Sequence, residues 1–138
     1  MNFYEDKEQV AFFKWCRLAE REYPQLKWIY SSQSGVKFKN ALAGARAKAS
    51  GMKAGVPDIF LPYPIVEPCP NQCGAYRIIY AGLYIEMKRR KSKGVSQGKL
   101  SPAQKDFLEY ANGVRYKAIV CYGADEAIQA IKDYLSEE

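Results

Sequence analysis

The six residues Leu83-Tyr-Ile-Glu-Met-Lys88 alternate with a period of two. Leu83, Ile85 and Met87 therefore share one face of a strand, and Tyr84, Glu86 and Lys88 share the other. Downstream, Ser101-Pro-Ala-Gln104 is a helix start: Ser as N-cap, Pro at the first helical position, and Gln closing a capping box. Asn112-Gly113 ends that helix. A strand over 115–121 and an amphipathic helix over 125–134 follow. A strand and a helix alternating in this way exclude an all-α bundle and an all-β sandwich.

The upstream half adds to the pattern. Residues 5–23 predict a helix, with Glu8, Phe12, Trp15 and Ala19 within about 60° on its surface. A carboxylate on the face that carries Phe12 and Trp15 is anomalous for a helix that only fills a core. Residues 26–31 predict a short strand separated from that helix by Pro24, and 37–50 an Ala-rich basic helix closed by Gly51. A Gly-x-Pro turn leads into a strand at 55–61. Residues 62–75, with four of the seven prolines, predict a loop. Residues 77–88 are β-rich, with a break at Ala81-Gly82. The order is α-β-α-β-β-α-β-α, an α/β architecture with a mixed central sheet flanked by helices, and 138 residues suit a single domain spanning 1–138.

Charge is segregated. Residues 36–57 hold five cations and no acid, and 86–105 hold seven cations and one acid, in a chain whose net charge is +6. Such basic segments are the footprint of a polyanion-binding face, and they are also what two solvated stretches of a basic protein look like. The sequence has no His, which excludes His-based triads and HExxH-type zinc hydrolases. Chemistry has to run on carboxylates, Lys, Tyr or Cys. Cys16 and Cys121 sit in apolar patterns and read as buried thiols. Cys69 and Cys73 lie in the Pro-rich loop, and four zinc ligands are hard to assemble around them. No apolar run is long enough to span a membrane, and the N-terminus has acids where a signal peptide needs basic residues. The expectation is a soluble, cytoplasmic protein.

Asp58 at a strand start, with Glu86 and Lys88 on one face of the next strand, can form a hard-cation site. Two carboxylates supply oxygen ligands, and the Met87 backbone carbonyl between Glu86 and Lys88 is a third candidate. Read singly, each residue has a bland alternative: a turn cap at Asp58, a surface ion pair between Glu86 and Lys88, a simple capping box at Gln104.

Gly51-Met-Lys-Ala-Gly-Val-Pro-Asp58-Ile, Gly82-Leu-Tyr-Ile-Glu86-Met-Lys88-Arg and Ser101-Pro-Ala-Gln104, in this order, resemble the virus-type replication-repair nuclease (VRR-NUC) domain. That family is a branch of the PD-(D/E)xK nuclease superfamily. The resemblance covers nearly the whole chain and implies a restriction-endonuclease-like core. It further implies an endonuclease dependent on Mg2+ or Mn2+, with Asp58 and Glu86 as metal ligands and Lys88 as the catalytic lysine. Glu8 is then the helix-borne acid and a further candidate ligand, and Gln104 the helix-borne glutamine. Stand-alone, phage-type members of this size are similar to Holliday-junction resolvases, acting as homodimers on branched DNA in a phage or bacterial host cytoplasm. Lys37, Lys39, Lys48, Lys53, Arg89, Arg90, Lys91, Lys93 and Lys99 are the expected phosphate contacts; no membrane and no nucleotide cofactor is expected. The alternatives are a flap- or nick-directed nuclease, a restriction-like nuclease, and a non-catalytic DNA-binding module. The 62–75 loop is longer than the family's usual connection.

Overall fold

A computed structural model describes residues 3–32, 37–71 and 74–137. Helix α1 spans Phe3–Ala19, followed by a 3-10 helix at Pro24–Trp28 and strand β1 at Tyr30–Ser31. Helix α2 is Ala41–Ala49, and strands β2, β3, β4 and β5 are Ile59–Leu61, Ile65–Pro68, Tyr76–Tyr80 and Leu83–Lys88. Helix α3 (Pro102–Gly113), β6 (Lys117–Tyr122) and α4 (Ala124–Leu135) complete the chain. The main sheet has the order β1-β2-β5-β6, with β5 and β6 parallel and the other two pairings antiparallel. It is the mixed sheet expected.

One face of this sheet makes the core. Ile59, Leu61, Leu83, Ile85, Met87 and Cys121 pack with Phe12 and Cys16 of α1 and with Ala127, Ile131 and Tyr134 of α4. Truncating a fully buried Phe12 or Ile131 to Ala in such a core costs about 2–5 kcal/mol. The opposite face carries Phe60, Tyr84 and Glu86, and α3 covers part of it: Phe107 meets Tyr84 ring to ring at 5.1 Å. Both faces of β5 are therefore buried, although its sequence alternates apolar with polar residues.

Three local expectations differ from the structure. Residues 24–28 coil into a 3-10 turn instead of extending, because Pro24 fixes φ at its first position and the turn drops Leu26 into the core. Helix α2 starts at Ala41, later than predicted, because Asn40 accepts the Ala43 N–H at 2.9 Å and caps it there. The 62–75 loop contains β3, which pairs with β4 as an antiparallel hairpin bearing an exposed Arg77–Glu67 ion pair. Cys69 in this segment is a free thiol, as are buried Cys16 and Cys121; Cys73 lies outside the described residues. Among the described residues, no helix is long and apolar enough to cross a membrane.

Candidate active site

Strand β2 pairs Ile59 with Ile85, so the next pair along the same register is Asp58 opposite Glu86. Directly opposed residues of antiparallel strands point to the same face, and Lys88 follows Glu86 on that face. All three charges are buried: Asp58 is 6% exposed, Glu86 3% and Lys88 8%. Lys88 Nζ lies 3.7 Å from Glu86 Oε1. Gln104 of α3 donates its side-chain N–H to the same oxygen at 2.8 Å. Glu86 Oε2 is itself buried.

The turn before β2 explains the Gly-x-Pro-Asp sequence. Gly55 has φ +87°, and a Cβ there would lie 2.3 Å from the Ala103 carbonyl oxygen, so only glycine lets this loop run against the start of α3. Pro57 then falls one register step beyond Asp58, opposite Met87. The Met87 N–H donates to Asp58 Oδ2 at 2.8 Å, which directs it toward the β2 edge. The carbonyl of a strand residue points to the same edge as its N–H. Proline has no N–H to give that carbonyl, and the Pro57 carbonyl is taken by the Ser32 hydroxyl at 2.7 Å. The ladder thus stops where the carboxylates begin.

This donor set is all oxygen, two carboxylates and a strand carbonyl, which fits a hard cation such as Mg2+ or Mn2+ and no soft one. Among the described residues, no three His, Cys, Asp or Glu side chains gather as a metal site. Glu8 does not join Asp58 and Glu86 in such a cluster. Its Oε1 pairs with the Arg90 guanidinium (Arg90 Nε at 2.9 Å), and its Oε2 accepts the Ala124 N–H at the start of α4. A carboxylate at a helix N-terminus is favoured by the helix dipole. The Glu8 carboxylate, with Asp125 and Glu126 adding to it, also holds Arg90 more firmly protonated than a free guanidinium.

The expected phosphate contacts divide in two. Lys37, Lys39, Lys48, Lys53, Lys91, Lys93 and Lys99 are exposed. Arg89 and Arg90 already have partners within the protein: Arg89 Nε donates to the Ser96 carbonyl at 2.6 Å, and Arg90, with its side chain 49% exposed, bridges Glu8 and Asp125. Sequence reasoning missed these two arginines' partners and the Ser32 hydroxyl, because neither leaves a local signal. Gln104 was visible through its capping box, which the structure contains in full.

Comparison with known proteins identifies the family. The family model of the VRR-NUC domain matches residues 4–125. A solved structure titled "VRR_NUC domain protein" superposes with a TM-score of 0.68 at 26% identity, over 99% of this chain and 91% of that one. A search among curated proteins finds none that matches. The chain belongs to the VRR-NUC family, and its domain is of the nuclease type that processes DNA.

Proposed function

We propose that this single-domain protein is a divalent-metal-dependent, structure-selective DNA endonuclease that resolves four-way (Holliday) junctions as a homodimer. One observation carries the reading: Asp58, Glu86 and Lys88 are buried together at the end of two paired strands. Burying three charges is costly unless they hold one another or a ligand. A fold that needed only stability would put apolar residues there.

Asp58 and Glu86, with the Met87 carbonyl, would hold Mg2+ or Mn2+. Such an ion, when bound, polarises a phosphoryl oxygen and lowers the pKa of its water. The chain's own groups do the rest. Lys88 supplies positive charge against the negative charge that builds on the phosphoryl oxygens in the transition state. Gln104 fixes the Glu86 carboxylate by its 2.8 Å bond. The exposed lysines of 37–53 and 91–99 hold flanking phosphates, and these contacts are blind to sequence. A two-fold dimer would set two such sites on opposing strands of a junction, substrate symmetry matching protein symmetry.

The test is cleavage of a labelled four-way junction beside a linear duplex, with Mg2+, Mn2+ or EDTA, for wild type, Lys88→Ala and Asp58→Ala. The expected result is paired, metal-dependent nicks on the junction by wild type alone, with Asp58→Ala still binding it. Cutting by Asp58→Ala at the wild-type rate would remove the site assignment. Equal cutting of linear duplex would remove the junction.

A further inference from the structure

A row of aromatic rings crosses the sheet beside the carboxylates. Tyr30, Phe60 and Tyr84 are cross-strand neighbours on β1, β2 and β5. They point to the same face as Asp58 and Glu86, two residues further along, hence about 7 Å away. Phe60 stacks on Tyr84 at 4.4 Å, and Tyr116 and Phe107 brace Tyr84 at 5.3 and 5.1 Å. Phe60 meets the edge or face of Tyr30 at 5.9 Å and 78°, holding that ring in place. The braced end is half-buried, whereas Tyr30 is 52% exposed. Trp28, two residues upstream, is 70% exposed, with Lys27 Nζ 5.4 Å from its ring centre. Next to the row, Ser32, Gly51, Met52, Lys53 and Val56 line a pocket of about 230 Å³, so a cation sits beside the strand that carries Tyr30.

We propose that Tyr30 is a stacking platform for a nucleobase that has left the duplex stack, next to the phosphate held at Asp58 and Glu86, with Lys53 on a neighbouring phosphate. The inference rests on the nuclease reading above and gives it a substrate class: DNA in which a branch point, gap or end interrupts the base stack and leaves a base face uncovered. An intact duplex keeps its bases stacked and offers this ring nothing. A pre-braced aromatic beside a cation is the arrangement by which proteins take single-stranded bases without reading their identity.

The experiment is fluorescence anisotropy in EDTA, where nothing is cut, using a four-way junction, a gapped duplex and an intact duplex. Proteins are wild type, Tyr30→Ala, Tyr30→Leu and Tyr30→Phe. Base–aromatic stacking of 1–3 kcal/mol predicts that Tyr30→Ala and Tyr30→Leu lose about tenfold in affinity for junction and gapped DNA. Tyr30→Phe restores it, and intact duplex is bound unchanged by all four. Tyr30 is exposed on an edge strand, so these variants fold, which circular dichroism checks. An equal loss on intact duplex, full affinity in Tyr30→Leu, or no loss at all overturns the platform while leaving the nuclease reading in place. Wild type that binds none of the three DNAs, either in EDTA or with Ca2+ in place of Mg2+, overturns the nuclease reading itself.

Discussion

Gln104 and Glu86 are joined at 2.8 Å through an amide that also works locally: Gln104 Oε1 accepts the Ser101 N–H at 2.8 Å while its Nε2 donates to Glu86. One side chain therefore ties the start of α3 to the candidate metal site. Rotating that amide breaks both bonds together, so the helix start and the carboxylate are set by a single torsion.

Substitutions at Gln104 separate these two tasks. Glu closes a capping box as well as Gln does, but it replaces a donor with a second carboxylate against Glu86. Like charges at that distance cannot both ionise easily. Gln104→Glu is expected to keep its melting temperature within a few degrees and to lose at least about tenfold in cleavage rate at neutral pH. Gln104→Ala loses both bonds, and about 1–2 kcal/mol of stability with them. Thermal melts and junction-cleavage rates on the same preparations decide the matter; an active Gln104→Glu would reduce Gln104 to its cap.

Pro57 is expected to matter through what it lacks. Pro57→Ala introduces a backbone N–H two residues before Ile59, the first paired residue of β2, and if that N–H reaches the Met87 carbonyl it extends the ladder into the site. Gaining that bond and losing the proline's restraint on the unfolded chain nearly cancel, each about 1 kcal/mol. Metal binding does not cancel if the carbonyl is a ligand. The Mn2+ concentration giving half-maximal cleavage should rise about tenfold, at little change in melting temperature. An unchanged Mn2+ midpoint would strike the Met87 carbonyl from the ligand set.

How much of this was legible depended on the range of each signal. β5 and α3 could be read because a period-two alternation and a capping box are written within a few residues, and both stand where they were expected. The β3–β4 hairpin could not. Its strands are pinned by pairing with one another across the connection at 69–75, and the Glu67–Arg77 pair that marks the register is visible only once the two are opposed. Pro68, read as a loop residue, is tolerated at the end of a two-stranded ribbon where its missing N–H faces no partner strand. For Glu8, helical periodicity gave the anomalous face but not the partner, since Arg90 lies 82 residues away.

Thiol chemistry gives a pH prediction. Burial pushes the Cys16 and Cys121 thiols from 9.0 up to about 12. Both are inert as thiols in the folded protein, so a thiol reagent at neutral pH should label half-buried Cys69 and spare them until the chain unfolds. A folded-state pKa above the unfolded one means that unfolding releases a proton between the two values. Stability is then full below pH 9 and falls as pH rises from about 9 toward 12, at up to roughly 1.4 kcal/mol per pH unit for each thiol. Urea midpoints at pH 7, 9.5 and 10.5 read this slope. The Cys16→Ala/Cys121→Ala protein should show a flatter one, and an identical slope would place the alkaline loss elsewhere.

Glu8 is the residue on which the family resemblance and the geometry pull apart. The resemblance makes it a catalytic acid and candidate ligand; the structure clamps it between Arg90 and the N-terminus of α4. Gly123, buried at φ +95°, makes room for the clamp, because a Cβ there would lie 2.9 Å from Arg90 Nε and 3.2 Å from Glu8 Oε2. A clamp and a ligand predict different losses. As a clamp, Glu8→Gln keeps a neutral acceptor for Ala124 but gives up the ion pair and the charge at the helix end, about 1–2 kcal/mol. Arg90→Ala should cost a similar amount, and the double variant little more than either alone, since the two act as one unit. The Mn2+ midpoint for cleavage would stay put in all three. A ligand behaves otherwise: Glu8→Gln shifts that midpoint while Arg90→Ala does not. Urea unfolding and Mn2+ titration of the same three proteins therefore separate the roles, and a midpoint that moves only in the Glu8 variants would return Glu8 to the metal.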